Sequence, residues 1–452
     1  MPPAPPILTS DLDQLVADCP EWLDLQILPN ELRCSKTLTT GQSFSWTAVI
    51  EDTASTASTA PSSTTSSSSS SPAPSAWGSL SATNWVGSIG SALYQIRETP
   101  TSTFVRQLHP APAPSSSPPS PSPLIALFSK YFQLSVPLAP LYASWAASSP
   151  SLFPSSLLET LPGVRVLAQP PVETLIAFLT SSNNNIPRIN SLLATLRRRC
   201  GELLVTTEGG HEFRSFPTLQ SLSALTDEDW RAMGFGYRAK FFVSSIALLQ
   251  TPAETPLSLP NLVPTRAAEG ATHEAGTVAA LQELSGVGRK VADCVALFAL
   301  NCPDLVPVDT HVYQIAARVD PAVVEAATPK KRKRKGGGEE QGTPAVKEEG
   351  GTPAVKEEEA SAPAPVPETP PKAPSSPSKS PKSPKPVIND KTYRLVQDTF
   401  KRAFPGGYAG WAHSVLFVQE LPSASGLAGS PVKPKQKKQK KPAVKAEASV
   451  EV

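Results

Sequence analysis

Apolar residues follow two different patterns along the chain. In the N-terminal part they alternate with polar residues in short runs, as in Ser43–Val49 and in ALYQIR within Trp85–Ile96. Further along they recur at spacings of three and four, as in 172–180 and 189–200. Alternation is typical of strands with one buried face, and the longer spacing is typical of amphipathic helices. The pattern therefore predicts an α+β fold, in which an N-terminal antiparallel β domain packs on a mainly helical domain.

Long segments with few apolar residues interrupt both patterns. Residues 51–76 are almost entirely Ser, Thr, Ala and Pro, 109–123 are rich in Pro and Ser, and 329–387 combine basic, acidic and proline-rich stretches. Such segments cannot bury enough apolar surface to fold, so we predict that they are disordered insertions. The predicted order is an N-terminal tail (1–18), the β domain with two insertions (19–128), the helical domain (129–328), the third insertion (329–387), C-terminal helices that complete the helical domain (388–421) and a disordered lysine-rich tail (422–452).

Positive charge is concentrated in two places. The formal net charge is only +2, yet six consecutive basic residues occupy 330–335 and a lysine-rich run occupies 433–441. Such runs are typical of nuclear-import signals and of non-specific DNA affinity, although they also fit a solvated disordered tract. We therefore expect a nuclear protein that meets the import machinery through one or both runs, with a mitochondrial fraction left open.

Cysteine usage and hydropathy exclude other classes of protein. Five cysteines, an odd number, are scattered along the chain, as in a reduced intracellular protein without a disulfide framework. No apolar run reaches membrane-spanning length, and the first residues have neither a signal-peptide core nor the arginine-rich character of a transit peptide. We therefore do not expect a secreted or membrane-spanning protein.

The strongest chemical signal is the stretch 281–318, LQELSGVGRKVADCVALFALNCPDLVPVDTHVYQIAAR. It predicts a helix, a tight hairpin at Gly286 and Gly288, a second helix, a short extended segment and a third helix, with a helix-hairpin-helix motif at 278–300. Glycines allow turn conformations that other residues avoid. The backbone N–H groups of such a hairpin can bind a phosphate without reading a base.

Two charged residues accompany this motif. Lys290 falls in the first turn of the second helix, where the helix dipole and burial both disfavour a positive charge and favour the neutral, nucleophilic amine. Asp309 follows the extended segment and is placed to cap the third helix. Each has a plainer interpretation alone, because most such lysines are solvated and most such aspartates only cap. An amine and a carboxylate together could cleave a sugar–base bond.

In this order and spacing, LSGVGRKVADC and VPVDTH resemble the helix-hairpin-helix–GPD superfamily of DNA glycosylases, and within it the eukaryotic 8-oxoguanine DNA glycosylases. Ser285 stands where proline often precedes the first glycine, which affects the stiffness of the turn rather than its chemistry. The other matching blocks, in the family's order, are TTGQSFSW (39–46), KYFQLSVPLAPLYASW (130–145), GVRVLAQPPVETLIAFLTSSNNNIPRI (163–189), MGFGYRAKFF (233–242) and YAGWAHSVLF (408–417).

The resemblance implies a bifunctional DNA glycosylase/AP lyase of base-excision repair, which flips 8-oxoguanine opposite cytosine out of the duplex and excises it. Lys290 would attack C1′ of the sugar to form a Schiff base, and Asp309 would stabilise the sugar cation. The implied base pocket consists of Gly41, Cys294, Pro307, His413 and Phe417. The residues implied to recognise the opposite cytosine and to act as a wedge are Asn183, Arg188, Tyr237 and Arg238. The residues implied to contact DNA phosphate are Gly286, Gly288 and His311.

Individual pocket positions carry further expectations. The Gly41 carbonyl is implied to accept the N7–H that distinguishes 8-oxoguanine from guanine, and Cys294 and Phe417 are implied to sandwich the purine. His413 stands where the family most often has glutamine, which changes how the Watson–Crick edge would be read. Without the resemblance, Cys294 and Phe417 would be interpreted as core residues and Tyr237 as a core aromatic.

The resemblance implies no organic cofactor, and no histidines stand at metal-ligand spacing. The four-cysteine cluster of iron–sulfur relatives is missing from the sequence, so no iron–sulfur centre is expected, although the hairpin carbonyls could hold a monovalent cation. The expected partner is damaged double-stranded DNA, bound by a monomer without a membrane. Two alternatives stay open: a glycosylase for another oxidised base, and a non-catalytic DNA-binding protein. The presence of both Lys290 and Asp309 argues against the second.

Overall fold

The computed structural model of the chain describes residues 22–38, 40–50, 83–110, 123–250, 271–328 and 387–421, together with Ile7, Asp11, Leu12 and Leu15. The predicted insertion at 51–76, most of those at 109–123 and 329–387, the tail and both basic runs lie outside the described residues. Within the described ranges, no helix combines the length and the apolar character that crossing a membrane requires.

A five-stranded antiparallel sheet forms the N-terminal domain. Its strands are β1 (Leu23–Asp24), β2 (Trp46–Val49), β3 (Thr83–Ile89), β4 (Ala92–Glu98) and β5 (Thr103–His109), in the order β1-β5-β4-β3-β2. The stretch Trp85–Ile96, which the sequence presents as one strand-like segment, contains parts of two strands joined by a turn at Gly90. This glycine has a φ of +61°, a conformation that side chains disfavour and that a tight hairpin needs.

Two helices belong with the sheet, α1 (Cys34–Thr37) and α2 (Pro123–Tyr131). Phe128 of α2 packs against Tyr94 of β4 with ring centroids 5.4 Å apart, and both share a buried apolar cluster with Trp85. α2 starts inside the predicted insertion at 109–123 and crosses the predicted domain limit at 128. It does so because its apolar face completes the core of the sheet.

The second domain is mainly helical, which confirms the predicted fold class. Its helices are α3 (Leu138–Ser148), α4 (Leu157–Thr160), α5 (Pro171–Ser181), α6 (Ile186–Cys200), α7 (Leu219–Ser223), α8 (Asp227–Ala232), α9 (Ala239–Leu249), α10 (Ala271–Gln282), α11 (Arg289–Ala299), α12 (Thr310–Ala317), α13 (Pro321–Ala327), α14 (Asp390–Ala403) and α15 (Ala409–Glu420), with a 3₁₀ turn at Gly236–Arg238. α11 lies against α5 and α10 and buries every residue from Val291 to Phe298. The helix that begins with Lys290 in its first turn is therefore the centre of this domain.

A short β-hairpin interrupts the range 129–328 that was predicted as a helical domain. Its strands are β6 (Leu203–Thr206) and β7 (Glu212–Arg214). Ser88 of β3 donates a hydrogen bond to the carbonyl of Arg214 at 3.5 Å, so the hairpin touches the N-terminal sheet. Strands of four and three residues are too short to show a period, which is why the sequence pattern did not indicate them.

Buried polar side chains join the two domains. The Glu173 carboxylate on α5 accepts hydrogen bonds from Ser45, just before β2, and from Arg197 on α6. The Arg165 guanidinium is fully buried and donates to the carbonyls of Phe132 and Gln133 at 2.8 and 2.7 Å. These bonds hold the start of β2 against the helices.

Candidate active site

A cleft lies where the loop before β2 meets α5, α11, the segment before α12, and α15. All seven residues predicted as catalytic or as base pocket line this one cleft, namely Gly41, Lys290, Cys294, Pro307, Asp309, His413 and Phe417. Six further residues line it that the sequence did not single out: Thr40, Gln42, Phe178, Phe298, Ser414 and Val418. Thr40 and Gln42 flank Gly41 in the matching block TTGQSFSW, so that block could have indicated them. Phe178 and Ser414 likewise lie in the matching blocks 163–189 and 408–417, whereas Phe298 carried no signal beyond helical apolar spacing.

Asp309 is the N-cap of α12, as its position after an extended segment predicted. Its Oδ1 accepts hydrogen bonds from the backbone N–H groups of His311 and Val312 at 2.9 and 3.1 Å. Oδ2 has no hydrogen-bond partner among the described residues, and Asp309 lines the cleft, so one carboxylate oxygen is not used by the cap. The cap fixes the side chain and leaves it able to stabilise a nearby cation.

Lys290 is half-buried in the first turn of α11, with its Nζ 5.8 Å from the centroid of the Phe178 ring. Its pKa is raised, because the Cys294 sulfur and the Asp309 carboxylate favour the ammonium more than burial disfavours it. Burial raises the pKa of the Cys294 thiol to about 12, so this side chain is a neutral thiol at physiological pH. The prediction that the resting amine is neutral is therefore wrong: burial acts in the predicted direction, but the effects of Cys294 and Asp309 together outweigh it.

His413 is buried on the inner face of α15, where its Nδ1 lies 3.4 Å from the Gly410 carbonyl. Its ring packs 6.0 Å from Phe400 and 6.2 Å from Phe417. Burial lowers the pKa of His413 to about 4, so the imidazole is neutral at physiological pH. His311, predicted to contact phosphate, is exposed and lies edge-on to Phe417 at 6.1 Å, at the rim of the cleft.

We expect His413 to make the stability of the protein depend on pH. Because its folded pKa of about 4 lies below its ordinary value of 6.5, the unfolded chain binds a proton that the folded protein excludes in that window. This contribution to the free energy of unfolding is present above pH 6.5 and lost towards pH 4, in total roughly 3 kcal/mol. Asp293 opposes it, because burial raises the pKa of that carboxyl to about 6 and its contribution is lost as pH rises.

The difference between the wild type and His413→Gln isolates the histidine, since Asp293 is common to both. In urea unfolding between about pH 4.5 and 7.5, the wild type should lose stability relative to the variant as the pH falls. Parallel stability curves would contradict the assignment of a buried neutral imidazole.

Gly41 has a φ of +82°, a conformation that favours glycine, and a Cβ there would stand 3.3 Å from Cδ1 of Ile186. The neighbouring Gln42 anchors the loop: its Nε2 donates to the carbonyls of Thr37 and Arg165 at 3.0 and 2.8 Å. Its Oε1 accepts from a further backbone N–H at 3.0 Å. The position of the Gly41 carbonyl is therefore set by a side chain whose hydrogen bonds are all made inside the protein.

Three of the four residues predicted to face the opposite strand lie together. Arg238 is buried and donates to the carbonyls of Ser182 and Asn183, the second at 3.3 Å. Tyr237 is 49 % exposed, its ring 4.6 Å from the Arg238 guanidinium. Arg188 is exposed in the first turn of α6, and no hydrogen bond joins its side chain to this group among the described residues. The Arg238 guanidinium therefore holds the turn at Asn183 through these hydrogen bonds.

In the hairpin between α10 and α11, only one of the two predicted glycines is required by the geometry. Gly286 has a φ of +78°, and a Cβ there would stand 2.5 Å from the ring of Phe241. Gly288 has a φ of −80° and no neighbour within 4 Å of a Cβ, so other residues could adopt its conformation. Ser245 donates to the Ser285 carbonyl at 3.1 Å and fixes the hairpin to α9. Within the described part of the chain, no group of three or more His, Cys, Asp or Glu could hold a metal ion.

Comparison with known proteins identifies relatives of the chain. The family described as "8-oxoguanine DNA glycosylase, N-terminal domain" matches residues 24–175. The chain is 34% identical over 323 residues to N-glycosylase/DNA lyase OGG1 of Arabidopsis thaliana, which covers 70% of this chain and 73% of that protein. It is 39% identical over 191 residues to an N-glycosylase/DNA lyase of Saccharomyces cerevisiae, which covers 42% of this chain and 50% of that protein.

A solved structure shares the fold. The 8-oxoguanine glycosylase/lyase of Clostridium acetobutylicum, in complex with double-stranded DNA containing cytosine opposite 8-oxoguanine, aligns with a TM-score of 0.54. The alignment covers 89% of this chain and 98% of that one at 17% identity, so it supports the architecture alone. The match to the plant enzyme, by contrast, has 34% identity across most of both proteins. The chain therefore belongs to the 8-oxoguanine DNA glycosylase family, whose named members are N-glycosylase/DNA lyases.

Proposed function

We propose that the protein is a base-excision repair glycosylase/AP lyase that removes 8-oxoguanine paired with cytosine from double-stranded DNA. The observation that carries the proposal is that Lys290 and Asp309 line one cleft together with Gly41, Cys294 and Phe417. A target base cannot reach such a cleft from within a duplex, so the lesion nucleotide must rotate out of the stack.

In the proposed reaction Lys290 first gives a proton to solvent, because its resting form is the ammonium. The free amine attacks C1′ as the bond from C1′ to the base breaks, and the departing base takes the electron pair and then a proton. The sugar ring opens to give an imine between Lys290 and C1′. Asp309 supplies the negative charge that stabilises positive charge on the sugar during this step. Removal of a proton from C2′ and departure of the 3′ phosphate give the lyase product as an imine, and water then hydrolyses this imine to release Lys290.

Base selection is proposed to rest on a single hydrogen bond. The N7–H of 8-oxoguanine would donate to the Gly41 carbonyl, whereas the N7 of guanine would face that oxygen as a second acceptor. Such a difference is worth roughly 1–3 kcal/mol, about ten- to hundredfold in selectivity. Cys294, a neutral thiol, and Phe417 would enclose the purine from its two faces. The neutral His413 would read the Watson–Crick edge with one ring nitrogen.

Recognition of the opposite cytosine is proposed for Asn183, Arg188 and Arg238, with Tyr237 as the wedge. Cytosine offers two acceptors and one amino donor, which arginine and asparagine can satisfy. The exposure of Tyr237 beside a tethered Arg238 supports the wedge, because an aromatic ring that already stands in solvent can enter the duplex without repacking the core.

Partners and location also remain proposals. Nuclear import through 330–335 or 433–441 and a monomeric state rest on the sequence. The carbonyls of Leu284 and Ser285 each accept one hydrogen bond and keep a second lone pair, so hairpin oxygens fit a monovalent cation. No step of the proposed reaction requires that ion.

Excision from a panel of duplexes tests the proposal. The panel carries 8-oxoguanine opposite each of the four bases, an oxidised pyrimidine, and undamaged guanine as the control. We expect the fastest single-turnover excision for 8-oxoguanine opposite cytosine and none for undamaged guanine. Preference for the pyrimidine lesion would keep the chemistry but overturn the pocket assignment. Binding without cleavage of any duplex would favour a non-catalytic DNA-binding protein.

A further inference from the structure

A buried polar network lies behind the cleft and none of its members lines the cleft. Asp293 on α11 is 1 % exposed, and its Oδ2 accepts hydrogen bonds from the Tyr393 hydroxyl at 2.6 Å and from Gln397 Nε2 at 2.9 Å. Tyr393 and Gln397 lie one turn apart on α14. Arg289 donates to Gln397 Oε1 at 2.8 Å, and its guanidinium lies 4.9 Å from the centroid of the Tyr393 ring.

The same two side chains of α14 bind the segment that leads into Asp309. The Val308 N–H donates to the Tyr393 hydroxyl at 3.1 Å, and Gln397 Nε2 donates to the Val306 carbonyl at 3.0 Å. Both valines are buried, and this segment is neither helix nor strand, so its backbone groups depend on side chains for their hydrogen bonds. Tyr393 therefore contacts the residue before Asp309 and, through Asp293, the helix of Lys290.

The composition of the network is costly for a purely structural contact. Asp293 Oδ1 has no hydrogen-bond partner among the described residues, and a buried carboxylate is expensive unless it is fully paired. Apolar side chains of similar size would hold α11 and α14 together at lower cost. What apolar side chains could not supply is a directional bond to the Val308 N–H and the Val306 carbonyl.

We propose that Tyr393, Gln397 and Asp293 are positioning residues that set the distance and orientation between Lys290 on α11 and Asp309 before α12. Asp293 lies three residues after Lys290 on the rigid central helix, and Tyr393 connects it to Val308. We call these three side chains the strut. A shift of the strut moves the Asp309 carboxylate relative to the Lys290 amine, and displacements near 1 Å can cost roughly a hundredfold in rate. The inference rests on the proposed roles of Lys290 and Asp309.

Tyr393→Phe tests the strut, and the chain offers a matched control in Tyr142→Phe. Tyr142 is also buried, its hydroxyl also donates to one acceptor, the Leu161 carbonyl at 2.9 Å, and it also accepts from one backbone N–H, that of Val164 at 3.3 Å. It lies on α3, outside the cleft. Each substitution therefore removes one hydroxyl that donates one hydrogen bond and accepts one from a backbone N–H, but only the first touches the proposed strut.

The experiment measures the single-turnover excision rate constant on 8-oxoguanine opposite cytosine, and separately the affinity for a duplex whose lesion cannot be cleaved. For Tyr393→Phe we expect the rate constant and the rate of borohydride-trapped adduct formation to fall roughly ten- to hundredfold, with affinity changed by less than about threefold. For Tyr142→Phe we expect the wild-type rate constant within about twofold.

Equal rates for the two variants would overturn the inference, and so would a parallel loss of rate and affinity in Tyr393→Phe, since that pattern indicates a collapsed pocket. Should Tyr393→Phe not fold, Gln397→Met replaces it: methionine is similar in length but has no N–H to donate to Asp293 or to the Val306 carbonyl, so we expect the same slowing of chemistry. A wild type without activity on 8-oxoguanine would refute the proposed function instead, and no variant result could be mistaken for that outcome.

Discussion

Replacement of Lys290 by glutamine is expected to abolish excision while lesion binding persists. The amide has no nucleophilic lone pair on nitrogen and cannot form an imine, so the covalent route is closed. We expect the single-turnover rate constant to fall by a factor of roughly 10³ or more and the borohydride-trapped adduct to disappear. The side chain lies at the wall of the cleft and glutamine is similar in size, so affinity for the lesion duplex should stay close to that of the wild type.

Lys240→Gln is the matched control for this experiment. Lys240 is an exposed lysine outside the cleft, with its Nζ 5.5 Å from the centroid of the Phe241 ring, beside the same hairpin. Lys240→Gln removes one positive charge from the same region but no group of the cleft. We therefore expect this variant to keep the trapped adduct and the wild-type rate constant. A trapped adduct in Lys290→Gln would show that another amine attacks the sugar, and would remove Lys290 from the reaction.

The sequence alone would have given the wrong direction for the pKa shift of Lys290. Sequence position identifies a helix N-terminus and expected burial, and both lower the pKa of an amine. The structure adds Cys294, four residues along the same helix, and Asp309, which is distant from Lys290 in sequence and lines the same cleft, and together they raise the pKa. The contribution of Asp309 is a tertiary contact, so no local pattern could have given it.

Features of the site that depend on a few neighbouring residues could be predicted from the sequence. The cap at Asp309, the glycine turn at Gly286 and the recurrence of a helix after residue 388 each follow from a few neighbouring residues. The convergence of Gly41 with Cys294 came from the resemblance and not from spacing, because the two residues belong to different domains. Gln42 fixes the Gly41 loop and was missed, although it lies in the matching block 39–46.

The strut formed by Tyr393 and Gln397 shows why the remainder was out of reach. On α14 these two residues occupy the inner face of an amphipathic helix. A tyrosine and a glutamine at such positions indicate ordinary packing and no special role. Their partners, Val306 and Val308, read as a buried apolar segment. Only the folded protein brings these two segments together, because 329–387 separates them in sequence and its composition predicts no structure.

Contacts between distant parts of the sequence also fix the position of α15, the helix that brings His413 and Phe417 into the cleft. Gly410 donates its backbone N–H to the Pro303 carbonyl at 3.0 Å, and Asp304 Oδ1 accepts from the N–H of Ala409 at 3.0 Å. A Cβ at Gly410 would stand 2.1 Å from the Leu305 carbonyl oxygen. Because that atom belongs to the backbone, it cannot move aside as the end of a flexible side chain can.

Gly410→Ala is therefore expected to lower the free energy of unfolding by about 3 kcal/mol or more, since either α15 or the segment around Leu305 must shift. Gly276→Ala is the control: this glycine is exposed within α10, its Cβ would meet nothing within 4 Å, and alanine should stabilise the helix by up to about 1 kcal/mol. Urea unfolding of both variants measures the difference.

Excision should fall with Gly410→Ala even at temperatures where that variant is folded, because displacement of α15 moves His413 and Phe417 together. Gly410→Ala with wild-type stability would mean that α15 does not approach the Leu305 carbonyl as closely as the structure has it.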